Sequence, residues 1–132
     1  MTHRFVEHVG EVELELEAAS EAGIFAAALA AFADLVADGD GEPARREIEL
    51  EAGAGNSALL LVDWLNELVF LAEVERFVPE RVVAFEIADD RLRASVEGHL
   101  GDPRHLVKAV TLNKLRLEQA EEMWHARVVL DV

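Results

Sequence analysis

Residues 11–18, EVELELEA, alternate without a break: Val12, Leu14 and Leu16 fall on one parity, and Glu11, Glu13, Glu15 and Glu17 on the other. A period of two is the spacing of a strand with one face on a core and the other in water. A helix would scatter the same residues around its circumference. RREIELEA (45–52) repeats the pattern with Ile48 and Leu50. MWHARVVLDV (123–132) sets Trp124, Ala126, Val128 and Leu130 against His125, Arg127 and Asp131. Any fold of this chain must bury one side of these strands and hydrate the other.

Two segments between them change period. Ser20 offers an N-cap, Glu21 suits the first turn, and Ile24, Phe25, Ala28, Leu29, Phe32, Leu35 and Val36 recur at helical spacing. ADGDGEPA ends this helix with its glycines and proline. GAGN then turns the chain, Asn56 or Ser57 can cap, and SALLLVDWLNELVFLAEVERF is apolar over most of its circumference, with Asp63, Asn66 and Glu67 on one narrow stripe. Such a helix is largely buried. Pro79 interrupts, RVVAFEI and LRASVEG flank Asp89-Asp90 as a hairpin, and GHLGDPRH (98–105) has loop composition. LVKAVTLNKLRLEQ and MWHARVVLDV are the last strands, joined around AEE. The order is strand, helix, strand, helix and four strands, without internal repeats. It predicts one α+β domain over 1–132, with two helices packed on one face of a mixed or antiparallel sheet.

The charge narrows the partners. With 27 acidic and 12 basic residues the net charge is −15, and nonspecific affinity for nucleic acid comes from Lys and Arg displacing counterions. Direct nucleic-acid binding is not expected; cations and proteins with basic surfaces are the natural partners. The chain has no cysteine, which excludes disulfides, thiolate nucleophiles and Cys-ligated zinc. It has no phosphate-cradling Gly-rich loop, and Ser57, Ser95 and Thr111, the only hydroxyls after residue 20, sit on no nucleophile elbow. No signal peptide or membrane span is evident, and the expected location is cytoplasmic.

Carboxylates and histidines remain. Glu7, His8 and Glu11 cluster at the first strand and Asp131 stands near the end of the last. Glu11 shares the outward parity of Glu13 and Glu15, and Asp131 that of Arg127 and His125. If those strands are neighbours, both acids project from one side of the sheet, where their repulsion favours a proton or a hard cation such as Mg²⁺ or Ca²⁺. The plainer expectations are that Glu13, Glu15 and Glu17 form a solvated face and that His8 is a partly buried structural histidine. His99 and His105 are expected on a surface loop, His125 on the strand surface, and Asp63 with Glu67 at a helix edge.

Element order and three stretches together resemble the archease family: EHVGEV (7–12) in place of a D-H-T-A-D-[VI] motif, LLVDWLNELVFL (60–71) as the central helix, and VKAVT (107–111) with the closing ARVVLDV. The resemblance spans essentially the whole chain. It implies an archease-like sandwich and a non-catalytic cofactor that promotes guanylylation and multiple turnover of a GTP-dependent RtcB-type RNA ligase in tRNA splicing or RNA repair. It also implies a divalent-metal site, calcium or magnesium, at Glu11, Asp131 and Asp38, with His8 and Glu7 beside it. A second role proposed for archeases is that of chaperone or specificity modulator of an RNA methyltransferase. A small metal-dependent hydrolase using Glu11 and Asp131 is the reading from a different class. Two departures stand out: Val9-Gly10-Glu11 replaces Thr-Ala-Asp, and Leu112-Asn113 follows KAVT where the family usually has Tyr followed by His or Ser.

Overall fold

Neither helix has a broad polar face, and that decides the architecture. In the computed structural model, which describes residues 1–37, 39–51, 56–88, 91–103 and 107–132, α1 (Glu21–Val36) buries Ile24, Phe25, Ala28, Leu29 and Phe32, and also Ala27 and Ala31. The second helix, α2 (Ser57–Val74), buries Leu60, Leu61, Trp64, Leu65, Leu68 and Leu71. Helices apolar over so wide an arc need cover on two sides. They receive it from two antiparallel sheets, one on each side of the helical layer.

The first sheet has the order β1-β2-β7-β6, from β1 (Thr2–His8), β2 (Glu11–Ala18), β6 (Ala109–Ala120) and β7 (Met123–Asp131). The second has the order β3-β5-β4, from β3 (Glu42–Glu51), β4 (Phe77–Ala88) and β5 (Arg91–Leu100). Helix α1 packs on β1, β2 and β7 from one side and on β4 from the other, while α2 meets β6, β4 and β3. The α+β sandwich and the antiparallel option stand. The strands divide into two sheets because a single sheet would leave half of each helix unburied.

Trp64 is the keystone of the helical layer. It is fully buried, its indole N–H donates to the Phe25 carbonyl at 3.0 Å, and its ring meets Phe25 and Phe85 edge-on. Ser20 Oγ accepts from Gly23 N at 3.0 Å, and Asn56 rather than Ser57 caps α2, accepting from Leu59 N at 3.1 Å. Ser57 instead donates to Glu21 Oε2 at 2.9 Å, tying the two helix starts together.

Five local features differ from the sequence expectation, the first being that β4 runs through Pro79, with a register shift beside it, rather than starting after it. A strand, β1, precedes the first alternating run; THRFVEH carries only Phe5 and Val6 as apolar residues, because an edge strand needs little of its surface buried. β5 continues through Leu100, so His99 is no loop residue: it is 7% exposed, with Nδ1 3.0 Å from Glu80 Oε1. β6 carries a bulge in which Leu112, Asn113, Lys114 and Leu115 face only Val128, with Lys114 at φ 60. The β6–β7 turn uses Glu121 and Glu122 at φ 53 and 68, the conformation that Asn-Gly usually supplies. The Asp89-Asp90 turn, His105, Asp38 and most of GAGN lie outside the described residues, although Ala88 pairs with Arg91 as the hairpin requires.

Candidate functional site

The first sheet buries one face, with Val12, Leu14, Leu16, Ala126, Val128 and Leu130 against the helices. Among the described residues no helix or strand covers its other face. Antiparallel register converts the alternation of four strands into cross-strand rows on that open face. One row runs His8, Glu11, Asp131, Ala109; the next has Val6, Glu13, Val129, Thr111. Beyond them come Arg4, Glu15, Arg127, Arg116, and then Thr2, Glu17, His125, Glu118.

The first of these rows contains the carboxylates singled out from sequence. β2 and β7 are neighbours, and Glu11 stands directly opposite Asp131. The hydrogen bond from Val132 N to Gly10 O (3.2 Å) flanks the two residues and marks them as a non-hydrogen-bonded pair. At such pairs the backbones approach to about 4.5 Å and side chains lie closest. Like charges placed this way oppose sheet formation, and the fold sets two half-buried carboxylates side by side across its central strands. A hard cation is the ligand such oxygens suit, one that keeps several waters if only two carboxylates reach it.

The other nominated residues divide. His8 is the register partner of Glu11 on β1. Glu7 pairs with the core residue Val12 and therefore belongs to the opposite side of the sheet from the acids. Asp38 lies outside the described residues. Among the described residues no group of three or more His, Asp and Glu side chains is close enough to hold a metal.

Glu13 departs from the expected solvated face. It is 7% exposed, enclosed by its row neighbours Val6 and Val129, with Oε2 3.7 Å from Arg127 Nε. Glu15 is half-buried and receives a hydrogen bond from Arg4, while Glu17 is exposed as expected. Alternation assigns these residues a face; only register reveals which neighbours cover them. Among the described residues no helix is long and apolar enough to cross a membrane.

The model of the Archease protein family (MTH1598/TM1083) matches residues 3–132. The chain belongs to the archease family. It is 30% identical over 139 residues to the protein archease of Archaeoglobus fulgidus, covering 100% of both chains, and 29% identical over 135 residues to that of Methanopyrus kandleri, covering 96% of each. Its fold is similar to the solution structure of Methanobacterium thermoautotrophicum protein 1598, with a TM-score of 0.70 at 24% identity over 98% of both chains. It is also similar to the crystal structure of an archease, described as a possible chaperone, from Thermotoga maritima, with a TM-score of 0.69 at 18% identity over 96% of this chain and 94% of that one.

Both departures from the archease motifs fall near the acid row. Val9 is fully exposed at the tip of the β1–β2 hairpin, and Gly10 follows at φ 74, a conformation open to glycine at no steric cost. Leu112 and Asn113 lie in the β6 bulge, where Leu112 is 61% exposed and Asn113 N donates to Thr111 Oγ1 at 2.9 Å.

Proposed function

We infer that this archease-family chain is a non-catalytic protein cofactor of a GTP-dependent RtcB-type RNA ligase, promoting its guanylylation and repeated turnover in tRNA splicing or RNA repair. The observation that carries the reading is the direct opposition of Glu11 and Asp131 at one end of the outer face of the first sheet. Two carboxylates side by side raise the affinity of the spot for a hard divalent cation, calcium or magnesium, and the archease resemblance implies Asp38 as a third acid. A bound cation supplies positive charge for phosphate or carboxylate oxygens of the partner. The chain's own part is to hold the two acids in register on the central strands. The net charge of −15 then favours association with a basic active-site surface rather than with RNA itself.

The test is ligation of a broken RNA by limiting ligase from the same organism, with the native protein and with Asp131→Ala. Multiple turnovers that the variant fails to support are expected. Equal stimulation by both would remove the terminal carboxylate from the mechanism. No stimulation by the native protein would reject the ligase as partner.

The second reading is a chaperone or specificity modulator of an RNA methyltransferase; the description of the Thermotoga protein as a possible chaperone is in keeping with the chaperone part of it. Comparing methylation patterns of tRNA with and without the protein separates the two. The carboxylate pair alone names no further catalytic group, so the hydrolase reading has no comparable support.

A further inference from the structure

The open sheet face holds a second unusual row, two rows from Glu11 and Asp131. Arg127 on β7 stands directly opposite Arg116 on β6, and Arg4 lies in the same row across Glu15. Three of the chain's 12 basic residues thus share one line in a protein dominated by acid. Like charges directly opposite on adjacent strands are destabilising, and a chain rich in carboxylates had ample means to pair them.

Their existing partners are incomplete. Arg4 hydrogen-bonds Glu15. Arg116 Nη1 is 3.8 Å from Glu118 Oε1 and Arg127 Nε is 3.7 Å from Glu13 Oε2, both beyond hydrogen-bond distance. Arg127 Nε is buried and has no hydrogen-bond partner among the described residues. Between these side chains lies a groove of about 610 Å³, lined also by Thr2, Glu17 and His125. That volume falls within the range of small-molecule sites, about 300–1,000 Å³.

We propose that this groove is a binding site for a phosphoryl group, held between the guanidinium groups of Arg116 and Arg127. A guanidinium presents planar, paired N–H donors that match oxyanions. A single-charged carboxylate satisfies one such fork, whereas a tetrahedral dianion presents edges to two. Glu15, Glu17 and Glu118 line the same groove, and with the net charge of −15 they disfavour long polyanions. The ligand class is therefore a small phosphate ester rather than a nucleic-acid strand. Glu118 competes with it for Arg116.

The site is independent of the acid pair, and its test is independent of any ligase. Amide shifts of the isotope-labelled full chain are followed by NMR while inorganic phosphate or pyrophosphate is added, with chloride at matched ionic strength as the reference. Saturating shifts in β6, β7 and the facing part of β2 are expected, weakened at least about tenfold in Arg116→Gln and Arg127→Gln, the scale of one charge-assisted hydrogen bond. Arg127→Lys keeps the charge and loses the fork, and is expected to fall between. Glu118→Gln frees Arg116 and is expected to tighten binding, a gain that misfolding cannot mimic. Shifts that chloride reproduces, that never saturate, or that persist in both arginine-to-glutamine variants overturn the proposal. A short 5′-phosphorylated oligonucleotide that binds more tightly than pyrophosphate would overturn the restriction to small esters.

Discussion

The two sheets of this protein present outer faces of similar composition and opposite organisation. On β3-β5-β4, opposite charges meet across the strands: Arg91 with Glu51 at 3.2 Å, Arg93 with Glu49 at 3.1 Å, Arg81 with Glu97 at 2.8 Å. Arg93 also has Glu86 as its other register partner, and Ser95 donates to Glu47. On β1-β2-β7-β6, Glu11 opposes Asp131 and Arg116 opposes Arg127. Complementary pairs stabilise a sheet by about 0.2–1 kcal/mol each and like pairs oppose it by similar amounts. One face thus has its charges matched across the strands. The other also pairs Arg4 with Glu15 but keeps two unfavourable juxtapositions on β7, as expected of a face that meets something else.

The contrast can be tested against a scale set by the core. Trp64→Ala removes a fully buried ring and its hydrogen bond to Phe25, and is expected to lose about 3–5 kcal/mol in urea unfolding. A smaller loss would mean that the helical layer is looser than its contacts indicate. Arg93→Glu would place three carboxylates in a row with Glu49 and Glu86 and is expected to cost about 1–2 kcal/mol, from two lost attractions and two new repulsions. If it costs nothing, the complementary ladder has no structural role and the comparison fails.

The effects on the other face should have the reverse sign. Asp131→Asn is expected to stabilise the metal-free protein by about 0.2–1 kcal/mol by relieving its repulsion from Glu11. Arg116→Gln should act similarly, reduced by the loss of Glu118 as a neighbour. Added salt should weaken the contribution of the β3-β5-β4 ladder and relieve repulsion on the open face, so that Arg93→Ala costs less in high salt and Asp131→Asn gains less. Two substitutions that both destabilise would show the like-charged rows to be structural.

Much of this contrast was legible in part. Alternation in EVELELEA and MWHARVVLDV assigned Glu11 and Asp131 to the solvent parity, and Ser20 marked a helix start correctly because its side chain has one local use there. Pairing was not legible: parity says which face a residue takes, and only register says that Glu11 meets Asp131 rather than Arg127. The same gap hid the row containing Arg4, Arg116 and Arg127, since the β6 bulge at Leu112–Leu115 shifts the count between Thr111 and Arg116. Glu13 and His99 were misread for a related reason. Each carries a charge or ring that composition sends to the surface, and each is enclosed by neighbours distant in sequence. Membership of the archease family was legible from three separated stretches, because a whole-chain pattern tolerates local departures that a single motif does not.

The central position of β7 has a consequence for how the molecule matures. β2 pairs with β1 through a tight local hairpin, but its other edge must wait for a strand made after both helices and the whole β3-β5-β4 sheet. Non-local pairing of this kind slows folding, and until it is complete α1 lacks part of its cover. A nascent chain therefore passes through a stage in which an apolar helix and an unpaired strand edge are both accessible to chaperones or to other chains. The juxtaposition of Glu11 with Asp131 does not exist at that stage. Assembly of the acid pair requires the β2–β7 pairing, so a molecule in which β7 has not yet docked cannot present the pair to a partner.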